Sequence, residues 1–451
     1  MMLTASSLDV KLGMEVYASR GRGIGGRLRS KPEDFIVEEI LLDGSRASVR
    51  LREDECKVSG RGRYLICILI KRGWDTLKAV EEIARRIDVS PEMISIAGIK
   101  DSRALTAQHI SIGAVSQERV KVEIRDAHLI PIRYADEKIS PHILYGNRFD
   151  ITVREIHYAP TETRQMISEI LSEISELGGI PNFFGHQRFG TIRPITHLVG
   201  KFMLKGRFED AVMLFLSETG MHESPRAREA REMLRETRDF KSALKIFPRG
   251  LIYERLMLRY LSKYPRDFLG ALSTLPVKLK KLFIQAYQSY LFNRFLSERM
   301  KRGIPLDSPE VGDYAVEIGS KGLPIGRFMR VELENMDTVA SRIREGSMAL
   351  ALPIIGFDQE LSGGVQGEIE REILEQEGVK PQDFKLEGLS GLSMHGGLRR
   401  MLVPVIDLKF MVEDADDGAV ANFKFTLHRG SYATVLLREF MKPEDPASSG
   451  F

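Results

Sequence analysis

Cysteine is almost missing from this chain of 451 residues, which carries only Cys56 and Cys67. Two thiols build neither a disulfide framework nor a four-ligand zinc site. Cys67 falls inside the apolar run YLICILI at 64–70, where it reads as a small buried hydrophobe in a reducing, cytoplasmic setting. Long apolar runs are missing as well. None approaches the ~18 residues that a membrane-spanning helix needs. Residues 1–9 lack the charged-then-apolar order of a secretory leader. There is no Gly-x-x-x-x-Gly-Lys-Ser/Thr loop and no His-Glu-x-x-His pair, and the 9 histidines are scattered. The chain is therefore expected to use no metal or nucleotide cofactor and to have no membrane partner.

Excess charge is small: 66 basic against 63 acidic side chains leave +3, with a pI near 8.6. That balance permits a nucleic-acid partner without requiring one. The distribution says more. Arg20, Arg22, Arg27, Arg29 and Lys31 crowd one glycine-rich segment, and Lys57, Arg61, Arg63, Lys71 and Arg72 follow soon after. Such clusters suit a phosphate-binding surface, and they equally suit solvated charge around loops and strand ends.

Hydrophobic spacing gives the organisation. Residues 35–40 and 64–70 read as strands. Residues 75–87 read as a helix with Asp75 as N-cap and Leu77, Val80, Ala84 and Ile87 on its inner face. Residues 149–154 alternate as a half-buried strand, and 162–177 form a helix ended by Gly178 and Gly179. Long helical patterns then dominate: 227–244, 278–300 and 367–377. A strand at 421–427 and a helix at 431–441 return to the earlier style, and 447–450 reads as a loose tail. The length exceeds the ~250–300 residues at which a single core stops growing. The order mixed, helical, mixed predicts an α+β fold with a mixed, largely antiparallel sheet in residues 1–179 and 405–451. A mainly helical insertion is expected at 180–404.

One motif misleads. Gly21, Gly23 and Gly26 match the dinucleotide fingerprint G-x-G-x-x-G, but SKPED at 30–34 follows instead of the helix whose N-terminus would meet a pyrophosphate. A basic loop whose backbone approaches RNA phosphates is the expectation instead. A more informative segment is ISIAGIKDSRALTAQHISI at 94–112, an apolar strand, a Gly-x-Lys-Asp turn and a second strand. A carboxylate at such a tip, flanked by cations, stays ionised when partly desolvated, as a nucleophilic aspartate must. Asp101 is the candidate, although aspartate is also a common turn former.

These residues, taken with four other segments, resemble the TruD family of tRNA pseudouridine synthases, in an archaeal-like form. KPEDFIVEE at 31–39 is similar to the family's N-terminal motif, and AGIKDSRALTAQ at 97–108 to its catalytic loop. GNRF at 146–149, with Ile151 and Arg154, matches a third motif. GIPNFFGHQRFG at 179–190 opens the family's inserted TRUD domain, and RGSYAT at 429–434 resembles the closing motif. The resemblance implies a pseudouridine synthase-like catalytic domain, tRNA as partner, uridine 13 as target, no cofactor and a monomeric enzyme. It implies Asp101 as nucleophile, with Arg29 as cationic partner where some relatives carry Lys; Arg27, Lys31 and Lys100 are alternatives for that charge. It also implies Phe35, Asn147, Phe149 and Tyr432 at the substrate nucleotide. Family members more often have Phe at position 432; Tyr keeps the ring face and adds a hydroxyl.

The chemistry suits these residue types. Pseudouridine formation breaks the N1–C1′ bond of uridine and joins C5 to C1′, with no redox step. An ionised carboxylate can add to C6 or to C1′. The base must leave its stack, and aromatic faces recover part of that cost. Phe149 also fits core packing and Asn147 a turn beside Gly146. Lys31, Lys100 and Arg188 are further candidate RNA contacts, and NFFGHQRFG at 182–190 suits either RNA contact or an interdomain hinge. Two competing classes are a non-catalytic RNA-binding or RNA-folding protein on the same scaffold, and a hydrolase that would need a second carboxylic acid.

Overall fold

The computed structural model describes residues 4–52, 56–190, 192–386, 391–416 and 418–451; the start of the segment weighed as a leader, residues 1–3, lies outside them. The strands in chain order are β1 (Phe35–Leu41), β2 (Tyr64–Arg72), β3 (Ile94–Ile96), β4 (Leu105–Gly113), β5 (Ala127–Ala135), β6 (Leu144–Ile156), β7 (Ile180–Pro181), β8 (Tyr314–Ile318), β9 (Pro324–Arg330), β10 (Met348–Ile354), β11 (Gly397–Arg400), β12 (Leu402–Val403), β13 (Ile406–Ala415) and β14 (Gly418–His428). Eight of them form one sheet in the order β13-β14-β6-β1-β4-β2-β5, with β3 on the edge of β4. Within it β1 and β4 run parallel and every other pair is antiparallel. The fold is α+β with a mixed, largely antiparallel sheet, as the residue pattern predicts.

Period-two geometry decides what this sheet can present. Glu39 lies opposite Asn147 and Val37 opposite Phe149 across β1 and β6, while Phe149 faces Phe425 on β14. Phe35, Val37, Glu39, Asn147 and Phe149 therefore share one face. The parallel pairing of β1 with β4 covers Leu105, Thr106 and Ala107, and β3 takes over the same edge of β4 from Ile110 to Ile112. The chain between β3 and β4, which holds Asp101, emerges at that change of partner.

The helix Thr76–Arg86 is capped by Asp75, whose carboxylate accepts from Leu77 and Lys78 at 3.0 Å each. Its buried face is Ala79, Val80, Ile83 and Ala84, and Leu77 is exposed because the stripe is rotated from the spacing first read. The pattern over 227–244 splits into helices Pro225–Thr237 and Phe240–Ile246, since Arg238 takes a left-handed φ of 52° and Asp239 caps a new helix. Residues 180–403 also carry more sheet than expected: an antiparallel four-stranded sheet, β11-β10-β8-β9, whose short strands lack the alternation that would reveal them. The two ends of this stretch meet, with β7 paired to β12. No helix among the described residues is long and apolar enough to cross a membrane.

Two expectations are corrected. The glycine-rich segment is packed against its own chain: Ile24 and Gly25 donate to the carbonyls of Phe440 and Met441 at 2.9 and 3.0 Å, and Arg27 to that of Arg154 at 2.7 Å. A Cβ on Gly23 would overlap the Met441 carbonyl. Gly23 allows close approach to the last helix, Ala433–Met441, while Gly21 lies against Ile170 and Gly26 against Val153 and Arg154. The tail is not loose either. Leu28 donates to Ser449 at 2.9 Å, and Phe451 is buried against His186, their ring centroids 5.5 Å apart. We expect Gly23→Ala to lower stability by about 1–3 kcal/mol, the usual cost of overpacking, measured by denaturant unfolding. An unchanged midpoint would show that this close approach is dispensable.

Candidate active site

A cleft of about 610 Å³ opens beside the shared face of β1 and β6, lined among others by Arg29, Phe35, Asp101, Asn147, Phe149 and Tyr432. Asp101 stands at its edge with its side chain 21% exposed. The loop carrying it is fastened at consecutive backbone groups. Gln108 donates to the Gly98 carbonyl at 3.1 Å, Thr76 accepts from the Lys100 N–H at 3.0 Å, and the Lys71 ammonium donates to the Asp101 carbonyl at 2.9 Å. The Asp101 carboxylate accepts the Arg103 N–H at 2.9 Å through one oxygen and the Arg29 guanidinium through the other. Every rotatable element between backbone and carboxylate is thereby fixed, which is what a positioned nucleophile needs.

Arg29 is 4% exposed in its side chain and adopts a left-handed φ of 56°, uncommon for a residue with a Cβ. Its guanidinium lies over the Phe35 ring, 4.1 Å from the centroid, and donates to the Gly450 carbonyl as well as to Asp101. Burial pulls its pKa below the ordinary arginine value, and the Asp101 charge opposes that shift. Among the cations first weighed for this pairing, Arg27 and Lys31 are exposed and Lys100 is engaged elsewhere.

Lys100 is buried. Its ammonium contacts the Glu39 carboxylate at 2.7 Å and donates to Asn147 Oδ1 at 2.7 Å. Glu39 in turn accepts the His109 N–H at 3.0 Å, filling the position that β1 leaves empty along β4. Burial would raise the Glu39 carboxyl, but the His109 and Lys100 contacts reverse this and hold it below its usual value. The consequence for Asn147 is specific: its carbonyl is committed to Lys100, so its amide N–H is the group left to present to a ligand. Lys100 thus orients a cleft residue instead of lying at an exposed RNA-facing surface.

The aromatic residues at the cleft form two ring groups. Phe149 stacks on Phe425 with centroids 5.2 Å apart and meets Phe35 edge-on at 6.4 Å, being both core residue and cleft lining. Tyr432 is half-buried and meets Phe184 at 6.2 Å. Gly185 permits this, since a Cβ there would sit 3.1 Å from the Tyr432 ring. In the 182–190 segment, Asn182, Phe183, Phe184, His186 and Phe189 are buried, while Gln187 is exposed and Arg188 half-buried. Lys31 is exposed and away from the cleft lining. The other carboxylate lining the cleft, Asp75, is occupied as a helix cap.

Residue patterns alone missed Lys71, Gly450 and Phe451. Lys71 belongs to a basic cluster by sequence but is fully buried, with its ammonium also donating to Trp74 at 2.7 Å. Burial pushes its pKa down to about 8. A charged residue near the end of an otherwise apolar strand was the available signal.

A family description, tRNA pseudouridine synthase D (TruD), matches residues 11–440. The chain belongs to the TruD family. It is 38% identical over 440 residues to the probable tRNA pseudouridine synthase D of Methanosarcina acetivorans, covering 96% of this chain and 97% of that one. A relative of the same name from Methanopyrus kandleri is 40% identical over 387 residues, covering 85% and 87% of the two chains. A crystal structure of the Methanosarcina mazei TruD protein superposes with a TM-score of 0.80 at 36% identity, covering 98% of this chain and 99% of that chain.

Arg29→Gln is expected to lower the single-turnover rate on tRNA by roughly 10²-fold, the scale of a preorganised charge in a dry site, with Arg29→Lys recovering part of it. Quenched-time-point assays measure this. A full rate in Arg29→Gln would remove the cation from the reaction.

Proposed function

We propose that this chain converts a uridine of tRNA, uridine 13, to pseudouridine with Asp101 as the nucleophile. The observation that carries this reading is the Asp101 carboxylate, fixed at a cleft edge by Arg29 and facing aromatic rings with one presented amide. Family membership supplies the reaction class. Residues 1–179 and 405–451 act as the catalytic domain and 180–404 as an inserted domain; the pairing of β7 with β12 supports that division.

The target base leaves its stack and enters the cleft against Phe149 and Tyr432. Base–aromatic stacking contributes on the order of 1–3 kcal/mol per base, comparable to the cost of flipping. The Asn147 N–H donates to a uracil carbonyl oxygen. Asp101 adds through one carboxylate oxygen to C6 or C1′, and the N1–C1′ bond breaks. The freed uracil turns and C5 bonds to C1′. The C5 proton is then lost and N1 gains one, so the product is an isomer and Asp101 is regenerated. Arg29 aims the carboxylate at the base.

Asp101→Asn keeps the shape and hydrogen-bonding ends of the side chain but removes the nucleophilic charge. It is expected to abolish product, at least about 10⁴-fold down in rate, as removal of a covalent nucleophile does. Mass spectrometry of carbodiimide-treated tRNA reads the isomer and its position together. Pseudouridine formed at the wild-type rate by Asp101→Asn would overturn the assignment, and free uracil among wild-type products would indicate a hydrolase.

A further inference from the structure

Buried arginines in this fold are matched to carboxylates: Arg231 to Glu223 and Glu254, Arg299 to Asp313, and Arg438 to Asp9 and Glu439. Two half-buried arginines beside the cleft, like Arg255 and Arg400 elsewhere, have no carboxylate partner among the described residues. Arg399 is clamped by neutral acceptors only, its Nε donating to the Asn182 carbonyl at 3.0 Å. Its Nη2 donates to Asn182 Oδ1 at 2.6 Å and to the Gly430 carbonyl at 2.9 Å. Arg188 donates through Nε to Ser289 Oγ at 3.1 Å. Both guanidiniums rest on the same ring, Phe184, at 4.0 Å for Arg399 and 5.7 Å for Arg188. Neither forms an ion pair among the described residues. Burial depresses both pKa values, that of Arg399 to about 10; Tyr432 opposes the shift in both, and the Arg188 charge lowers Arg399 further.

Such an arrangement is costly in the free protein, because desolvated charge without a counter-charge loses solvation and gains nothing in return. Carbonyl and hydroxyl bonds fix the direction of both forks but leave the cations unneutralised. Arg399 Nη1 and both terminal nitrogens of Arg188 engage no acceptor among the described residues, and solvent reaches them. Their position is informative. Gln187, Gly190, Gly430 and Tyr432 line the cleft, so Arg188 lies between two lining residues and Arg399 holds the carbonyl of a third. Arg188 and Arg399 stand just behind the lining residues; Arg400, on the other side of the same strand, donates to the Gly322 carbonyl at 2.9 Å.

We propose that Arg188 and Arg399 form a binding site for a backbone phosphodiester of the substrate RNA, the linkage next to the flipped uridine. A planar guanidinium fork matches phosphate oxygens geometrically, and two forks stacked on one ring are preorganised to receive them. The phosphate supplies the counter-charge the free protein lacks, so binding recovers electrostatic energy where the base enters. Because phosphate carries no base identity, this pair sets the register of the strand and leaves base selection to Asn147 and the aromatic rings. The inference rests on the reading of the cleft as an RNA-modifying site.

The test pairs protein variants with a minimal RNA in which the linkage 5′ or 3′ of the target uridine is a neutral methylphosphonate. Wild type should bind one of these two RNAs about 5- to 10-fold more weakly than the all-phosphate RNA. Arg188→Gln should show a similar loss on the all-phosphate RNA and no further loss on the methylphosphonate. Its slope of log affinity against log salt should fall by about 0.7, one single-strand phosphate, and Arg188→Lys should restore that slope. Arg399→Gln should behave alike; Arg188, held by a single bond to Ser289, carries the test if Arg399→Gln melts early. The proposal is overturned if neither neutral linkage weakens wild type, or if linkage and substitution effects multiply independently. A wild type that forms no pseudouridine in the all-phosphate RNA contradicts the functional reading itself.

Discussion

The guanidinium of Arg29 joins three parts of the chain that are far apart in sequence, and the site depends on that junction. It pairs with the Asp101 carboxylate, donates to the Gly450 carbonyl as well, and covers the Phe35 ring. A buried guanidinium is costly unless its donors and charge are answered. Here one anion and one carbonyl answer them, while its buried Nε has no partner among the described residues. The left-handed backbone at Arg29 adds about 1 kcal/mol of strain. Leu28 beside it is bonded to Ser449 and the Arg29 guanidinium to Gly450, so residues 449 and 450 are part of the geometry around Asp101.

A second buried charge system runs parallel to the first. Glu39, Lys100 and His109 share one chain of contacts under the Asp101 loop, and Lys71 supports the same loop from β2. The roles divide between them. Arg29 answers the carboxylate, Lys100 turns Asn147, and Lys71 holds the backbone. Three adjacent cations therefore do separate tasks, and exchanging one for another would not preserve the site. Arg188 and Arg399 differ from Arg29 and Lys100 in lacking an anion of their own among the described residues.

Much of this was legible from residues alone, and the boundary has physical causes. The strand at 149–154 follows from period two, although it begins at Leu144 and takes in Asn147, which reads as a turn residue; the Asp75 cap follows from local hydrogen bonding. Asp101 required the resemblance, because a turn aspartate looks the same whether or not it reacts. What escaped was tertiary. Lys71 gave only a faint signal, a charge near the end of an apolar strand, and Gly450 and Phe451 look like any polar tail until the Arg29 donor is placed. The G-x-G-x-x-G segment shows the converse, since its glycines serve packing against the protein's own chain, Gly23 against Met441, Gly21 against Ile170 and Gly26 against Val153. Short strands such as β8 and β11 carry too few residues for a readable period.

The central claim is that the C-terminal tail, through Arg29, fixes the nucleophile. The most direct measurement is the single-turnover rate, with tRNA affinity, of a chain ended at Ser448, which lacks the Ser449 and Gly450 carbonyls and the Phe451 ring. The account predicts a rate at least about tenfold lower, or roughly 1.4 kcal/mol of barrier, with affinity changed less than about threefold. An unchanged rate in that folded, shortened chain would contradict it.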